Sequence, residues 1–306
     1  MPKASLKRID AVRDFNRTYT RKLGVLGESF LDTAFSLTEA RVLYELSGGE
    51  RTASEVGAAL GLDAGYLSRI LDRFAKARLI SRNTSPEDRR RSVIALTRAG
   101  HAAFAPLEER SRGRIGAFVA ALPASGQAQL IDAMNLVAAL TEANESQPKI
   151  SLRTHRAGDM GWITMRHAAL YDEEYGYGPL FEAMVADICA QFLKNYQPKW
   201  ERCWIAELNG VPVGSCCLVR ADAKTAKLRL MFLEPWARGK GVAQKLVEES
   251  IAFAKKHNYE KILLWTQSEL LAARKLYERA GFRLTGTKPH ADFGKKLVGE
   301  TWELKL

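Results

Sequence analysis

The chain has 306 residues, of which 46% are hydrophobic and 26% are charged, and it carries a net charge of +11. These values indicate a globular protein long enough for two domains, and they exclude the disordered and fibrous classes. No apolar run reaches the ~18 residues of a membrane span and no signal-peptide pattern is visible, so we expect a cytoplasmic protein without a membrane partner.

The first part of the chain is predicted to be helical. A long amphipathic helix is expected over Ile9–Leu31, and a second helix begins at Thr38. Thr52 is followed by an acid three residues later, which is typical of the N-cap of a third helix. Asp63 is placed to cap a fourth helix, Ala64–Ala77, after a glycine turn. Two short helices joined in this way have the spacing of a helix-turn-helix.

Two segments after this pair alternate like strands, Leu79–Arg82 and Ser92–Leu96. The polar stretch 83–91 between them predicts a β-wing with a basic tip. Residues 69–91 hold 8 Lys and Arg against 3 Asp and Glu, the same excess of +5 that residues 1–149 have with 22 against 17. Positive charge concentrated in this way suits contact with a phosphate backbone.

The second helix of the pair has an apolar and a polar face. Its polar face carries Ser68, Arg69 and Arg73, which suit base edges and phosphates in a major groove. At the wing tip, Arg89 and Arg90 suit a narrow minor groove or the adjacent backbone. The alternative interpretation is a solvated basic face on a small helical domain.

The helical pattern ends before the middle of the chain. Thr97 is placed to cap a further helix, and Leu130–Leu140 continues the helical periodicity. Small polar residues and Pro148 then interrupt it, and the pattern changes to strands alternating with helices. We therefore predict two domains, residues 1–147 and 148–306.

The segment Leu37–Leu96 carries a family resemblance. The strings LTEARVLYEL, ASEVGAALGLDAGYLSRILDRFAKARLISR and EDRRRSVIALTRAG resemble MarR-type winged-helix transcription regulators. The resemblance implies a mainly α winged-helix domain and a homodimer built from the first and last helices, here Ile9–Leu31 and the helix after Leu130. It identifies no operator sequence. The residues that it assigns to contacts with double-stranded DNA are Ser68, Arg69, Arg73, Arg89 and Arg90.

The second half alternates strands with helices. A strand is predicted at Ser151–Arg153, and helices are predicted at Met160–Tyr171 and Pro179–Asn195. The segments Cys203–Leu208 and Val211–Val219 flank an Asn-Gly pair, which is a hairpin signal. Further elements are expected at Lys227–Leu233 (strand), Val242–Lys256 (helix), Ile262–Thr266 (strand), Leu270–Ala280 (helix) and Thr301–Leu306 (strand).

The four cysteines all fall in this half and form no CxxC pair. We therefore expect buried, reduced thiols and no metal site. Cys216 and Cys217 are adjacent in a predicted strand, so their side chains should point to opposite faces of a sheet.

The segment Arg238–Ala243 lies between a predicted strand and a predicted helix. Its glycines let backbone N–H groups converge on an anion at the helix N-terminus, an arrangement that suits a pyrophosphate. A P-loop would need Ser or Thr after Gly-Lys, but Val242 follows Gly241. The dinucleotide fingerprint also fails, because its third glycine is missing.

What remains is Arg-x-x-Gly-x-Ala, which with the later string LYERAGF resembles the GNAT acyltransferase superfamily. The resemblance implies an α/β (α+β) domain with a mixed central sheet and acetyl-CoA as the donor co-substrate. Tyr277 would protonate the leaving CoA thiolate, and a neutral phenol suits that role. The alternative for Tyr277 is an ordinary core aromatic. The resemblance assigns pantetheine pairing to Met231, Phe232 and Leu233, and pyrophosphate binding to Arg238, Gly239, Lys240, Gly241, Val242 and Ala243.

The catalytic base is less well defined by the sequence. The strand before the glycine loop has no acid before Glu234, so the candidates are Glu173, Glu174 and Glu207. The first two lie in a predicted loop, 171–177, that is aromatic and acidic and suits a cationic or amine acceptor. The alternative for this loop is a solvated helix end.

Together these features predict a DNA-binding transcription regulator fused to an acetyl-CoA-dependent N-acetyltransferase acting on a small amine or amino acid. One alternative keeps the regulator but makes the second domain a non-catalytic acetyl-CoA or ligand sensor. Another is an enzyme whose winged-helix half serves only dimerisation, although the basic cluster at 69–91 argues against it.

Overall fold

The computed structural model describes residues 5–24, 30–84, 92–141 and 149–306. The chain divides into two compact units, Met1–Ala128 and Gln129–Leu306. The domain boundary expected between residues 147 and 148 stays a prediction. Within the described ranges, no helix is both long and apolar enough to cross a membrane.

The first unit is mainly helical and carries one small sheet. Its three strands are antiparallel in the order β1-β3-β2. The core between α2, α3, α4 and the sheet contains Leu43, Val56, Phe74 and Ile94. The elements up to the end of the helical region are α1 (Leu6–Leu23), a 3-10 turn (Phe30–Asp32), α2 (Leu37–Ser47), β1 (Arg51–Thr52), α3 (Ala53–Leu60), α4 (Ala64–Lys76), β2 (Ile80–Thr84), β3 (Ser92–Leu96), α5 (Arg98–Ala120) and α6 (Ala124–Thr141).

Local capping explains where α3 and α4 begin. The Thr52 hydroxyl accepts from the backbone N–H of Glu55, whose carboxylate accepts in return from the Thr52 N–H at 2.8 Å. The Asp63 carboxylate accepts from the Tyr66 N–H at 3.0 Å and starts α4. Between them, Gly61 ends α3 with a φ of 61°. The predicted helix-turn-helix and the two wing strands are confirmed.

The first predicted helix, Ile9–Leu31, is wrong at its C-terminal end. Helix α1 ends at Leu23, because Gly24 adopts the left-handed conformation with a φ of 65°. The Gly24 N–H bonds back to the carbonyl of Arg21, which closes the last turn.

The second unit is a seven-stranded sheet covered by two helices on each face. The strand order is β4-β5-β6-β7-β8-β10-β9, and only the β7–β8 pair is parallel. The predicted mixed sheet and βαβ unit are therefore confirmed. The elements are β4 (Ile150–Thr154), α7 (Asp159–Tyr175), α8 (Pro179–Asn195), β5 (Arg202–Leu208), β6 (Val211–Arg220), β7 (Thr225–Leu233), a 3-10 turn (Pro235–Ala237), α9 (Val242–Lys256), β8 (Lys261–Gln267), α10 (Leu271–Arg279), β9 (Arg283–His290) and β10 (Leu297–Lys305).

Each face of the sheet has its own hydrophobic core. Leu246 of α9 and Tyr277 of α10 pack on one face, and Ile163 of α7 packs on the other. Cys216 and Cys217 lie in different cores, as predicted from their adjacent positions in a strand. All four cysteines are buried and free.

Candidate functional site

Strands β7 and β8 separate part of the way along their length. Their parallel pairing runs from Thr225 opposite Lys261 to Leu228 opposite Leu264 and then stops. On its other side, β7 has a register shift against β6, and Leu230 at this shift has a φ of 52°. The resulting bulge redirects β7, so its main chain beyond Leu228 is not paired with β8.

A cavity of about 1180 Å³ opens where the two strands separate. Its wall includes β7, the end of β8, the C-terminal half of α7, one side of α8, the N-terminal part of α9 and most of α10. It therefore extends to both faces of the sheet. A cavity of this kind can bring two reactants together from opposite sides.

The glycine loop forms one end of this cavity. Gly239 and Gly241 have φ values of 77° and 81°, which disfavour any residue with a Cβ atom. Gly241 is the N-cap of α9 and supplies no side-chain cap, so the first N–H groups of α9 are left for another acceptor. The predicted residues that line the cavity here are Arg238, Gly239, Gly241, Val242 and Ala243, and Lys240 is not among them.

The three strand residues predicted to pair with pantetheine also line the cavity. The side chain of Phe232 is buried in the core under α7, where its ring centroid lies 4.6 Å from that of His167. Met231 and Leu233 pack partly against the opposite core. The main chain is therefore the part of these residues that could pair with a ligand.

Tyr277 lies on α10 and lines the same cavity, although only 5% of it is exposed. Burial raises the pKa of its phenol above the usual value. The hydroxyl is therefore protonated at physiological pH, as a proton donor must be.

The structure places only one of the two predicted acids, Glu173 and Glu174, at the cavity. The predicted loop 171–177 is wrong over residues 171–175, because α7 continues to Tyr175 and both acids lie in its last turn. Only Glu174 lines the cavity, and its carboxylate accepts from the Arg238 guanidinium at 2.7 Å. The third candidate, Glu207, pairs with Arg153 at 2.5 Å and lies outside the cavity wall.

Two cations in the cavity wall were not singled out from the sequence. Lys227 and Arg229 are half-buried on β7, and burial lowers the pKa of both. Their alternation with Ala226, Leu228 and Leu230 suggests an ordinary solvent-facing edge of a strand. Only the tertiary packing of α7 and α8 places them beside a cavity.

The predicted DNA-contact residues of α4 share its exposed side. Ser68, Arg69 and Arg73 are exposed, and the Arg69 guanidinium lies 5.9 Å from the centroid of the Tyr66 ring. Arg73 forms an ion pair with the buried Glu39 of α2. The predicted wing contacts, Arg89 and Arg90, lie outside the described residues.

Comparison with known families agrees with this architecture. The acetyltransferase (GNAT) family model matches residues 167–282, and the MarR family model matches residues 35–91. The chain therefore combines a MarR-family domain with a GNAT-family acetyltransferase domain, and both predicted resemblances are confirmed.

Several relatives match about a third of the chain. N-acetylaspartate synthetase of Danio rerio is 40% identical over 103 residues, which is 33% of this chain and 36% of the relative. The Homo sapiens protein of the same name is 36% identical over 107 residues, covering 35% and 34%. The chain thus spans about a third of the length of these relatives. Among solved structures, an acetyltransferase from Streptococcus agalactiae aligns with a TM-score of 0.42 at 23% identity, covering 51% of this chain and 98% of that one.

Proposed function

We propose that the protein is a DNA-binding transcription regulator that also transfers an acetyl group from acetyl-CoA to a small amine or amino acid. The observation that carries the enzymatic half is one cavity, at the separation of β7 and β8, lined by both the glycine loop and Tyr277. Anion-binding main chain and a buried proton donor in one cavity fit acyl transfer from a phosphorylated thioester.

The donor would be held mainly by main-chain groups. The N–H groups at the start of α9 would bind the pyrophosphate, aided by Arg238 and by the positive end of the helix. The free main chain of Met231–Leu233 would hydrogen-bond the pantetheine arm as an added strand.

The chemistry needs one proton acceptor and one proton donor from the chain. Acetyl-CoA supplies the acetyl group, whose carbonyl carbon forms a bond to the amine while its bond to sulfur breaks. Glu174, which lines the cavity, would accept the proton that the amine loses. Tyr277 would donate its proton to the departing sulfur, and its buried phenol stays neutral until that step.

The relatives inform the choice of acceptor. Those from Danio rerio and Homo sapiens carry the name N-acetylaspartate synthetase. An amino acid therefore fits better than a polyamine or an aromatic amine. The α-amine would be the acetylated group.

The regulatory half rests on the winged-helix unit. Helix α4 exposes Ser68, Arg69 and Arg73 opposite a buried apolar face, which fits insertion into a major groove of double-stranded DNA. Helices α1 and α6 both expose large apolar side chains, which favours a homodimer.

The enzymatic proposal is tested by following the release of free CoA thiol from acetyl-CoA with a panel of amino acids and amines. We expect turnover with at least one amino acid. If acetyl-CoA binds but thiol release stays at background with every acceptor, the domain is a sensor and the enzymatic proposal is wrong.

The DNA proposal is tested by titrating random duplex DNA at two salt concentrations. Each lost phosphate contact should reduce the slope of log K against log salt by about 0.9, so we expect Arg69→Ala, Arg89→Ala and Arg90→Ala to weaken both affinity and slope. Arg283→Ala removes the same charge from the exposed surface of β9 and should leave both unchanged. Binding that does not depend on salt would contradict the proposal.

A further inference from the structure

Two cations lie on one defined face of the central sheet. Across the β6–β7 pair, Lys227 is opposite Val219 and Arg229 is opposite Cys217. Both partners belong to the core that packs under α7 and α8. Residues directly opposite each other in an antiparallel pair share a face, so Lys227 and Arg229 also face α7 and α8.

The glycine loop belongs to the other side of the sheet. Helix α9, which starts at this loop, contributes Leu246 to the opposite core, which also contains Ala226 and Leu228. A ligand anion beside Lys227 and Arg229 is therefore not expected to be the pyrophosphate at the start of α9. The cavity reaches both faces, so a second reactant can approach from the α7–α8 side.

Neither cation has a partner in the part of the chain that the structure describes. Glu174, the one acid among the described cavity-lining residues of α7 and α8, already accepts from Arg238 at 2.7 Å. Burial lowers the pKa of Lys227 and of Arg229, and the positive charge of Arg229 lowers that of Lys227 further. Two half-buried like charges without counter-ions are costly, and a bound anion would offset this cost.

On the α7–α8 side of the cavity, the other lining residues are uncharged or negatively charged. The α7 and α8 side chains that line the cavity include His167, Leu170, Met184 and Ile188. Burial lowers the pKa of His167 to about 4, so its imidazole is neutral at physiological pH. Among the described cavity-lining residues of β7, α7 and α8, the only cations are therefore Lys227 and Arg229.

We propose that Lys227 and Arg229 bind the carboxylates of the acetyl acceptor, and that this acceptor is an acidic amino acid. The proposal rests on the acetyltransferase function proposed above and names its substrate class. Alternate residues on a strand are about 7 Å apart along the chain, so two cations at this spacing suit two carboxylates of one small molecule. The α-amine would then be held near Glu174 and the bulge of β7.

The test compares aspartate and glutamate with asparagine, glutamine and a simple diamine as acceptors. We expect the acidic amino acids to have the highest kcat/KM. Arg229→Gln and Lys227→Gln should each raise the KM for aspartate by roughly 10²-fold, because a charge-paired contact is lost, while the KM for acetyl-CoA stays unchanged. Lys275→Gln removes a cation from the opposite, α10 side of the cavity and should leave the KM for aspartate unchanged.

Two results would overturn the proposal. In the first, asparagine and glutamine serve as well as the acidic amino acids. In the second, Arg229→Gln raises the KM for acetyl-CoA instead of the acceptor, which would assign the cations to the donor. Either result leaves the acetyltransferase function standing.

A binding experiment covers the case in which no acceptor is turned over. All six tryptophans lie in the second unit, and Trp265 lines the cavity, so intrinsic fluorescence reports acceptor binding there. Quenching by aspartate in the presence of CoA, lost in Arg229→Gln, would support the anion site although catalysis had failed. If aspartate neither reacts nor binds, the proposal is wrong.

Discussion

Removing the hydroxyl oxygen of Tyr277 tests whether this residue donates the proton. Tyr277→Phe removes the hydroxyl but keeps the ring that packs 5.8 Å from Phe282. We expect kcat to fall by roughly 10²-fold or more while the Kd of acetyl-CoA is unchanged, because only proton transfer is lost. Steady-state kinetics and a binding titration measure the two quantities.

The control for this substitution is Tyr259→Phe. Tyr259 is 4% exposed, close to the 5% of Tyr277, but it lies outside the cavity wall and its hydroxyl donates to the Trp200 carbonyl. We expect Tyr259→Phe to lower the stability of the protein somewhat and to leave kcat unchanged. Equal rates in Tyr277→Phe and the wild type would remove Tyr277 from the mechanism.

The two neighbouring acids of α7 allow a matched test of the base. Glu174→Gln keeps an oxygen that can accept from Arg238 but removes the proton acceptor, so we expect kcat to fall by roughly 10²-fold while the KM for acetyl-CoA is unchanged. Glu173→Gln, one residue away and outside the cavity wall, should have wild-type kinetics. If Glu174→Gln raised only the KM for acetyl-CoA, the role of Glu174 would be to hold Arg238 in position and not to accept a proton.

At the scale of single residues, the sequence identifies some of the cavity-lining residues and misses others, and the reason is physical. Gly239, Gly241 and Tyr277 were assigned from local strings, and they do line one cavity. Lys227 and Arg229 could not be assigned, because alternation along a strand does not reveal what covers each face. That information comes only from the packing of α7 and α8.

Helix α9 provides a test at the level of one element, because its N-terminus depends on Gly241. Gly241→Ala forces a residue with a Cβ atom to a φ of 81°, which costs about 1–2 kcal/mol and distorts the N–H groups of the first turn. We expect the Kd of acetyl-CoA to rise by about tenfold or more. Isothermal titration calorimetry measures this change.

Gly210→Ala is the control for strain alone. Gly210 has a φ of 84° in the β5–β6 turn, and a Cβ atom at either glycine would meet no atom within 4 Å. Both substitutions should lower the melting temperature by a similar amount, and only Gly241→Ala should weaken binding. Equal Kd values for the two variants would mean that the α9 N-terminus does not hold the donor.

The element boundaries show what local sequence signals can determine. The bounds of α8 and α9 agree with prediction, and each begins at a clear signal, Pro179 in one and the glycine loop in the other. The end of α7 was missed because Tyr171–Tyr175 is rich in acids and aromatics and resembles a loop. Its aromatic rings pack into the core and extend the helix until Gly176, so tertiary contacts override the local composition.

Two helices, α1 and α6, expose rows of large apolar side chains, and this exposure bears on the oligomeric state of the protein. On α6, Ile131, Met134, Val137 and Leu140 recur every three residues, and each is at least 44% exposed. On α1, Leu6, Ile9, Val12 and Phe15 are similarly exposed. Side chains of this size along two helices are too costly to leave in water, which favours their burial in a homodimer.

The homodimer is tested by placing one charge among the exposed apolar side chains of α6. We expect the wild type to sediment as a dimer and Val137→Glu to shift it towards monomer, because burying an unpaired carboxylate is unfavourable. A dimer presents two α4 helices to two half-sites, so the variant should also bind DNA much more weakly although α4 is intact. Leu193→Glu adds the same charge at an exposed apolar site on α8 and should change neither property. A monomeric wild type would contradict the dimer, and a dimeric Val137→Glu would place the interface elsewhere.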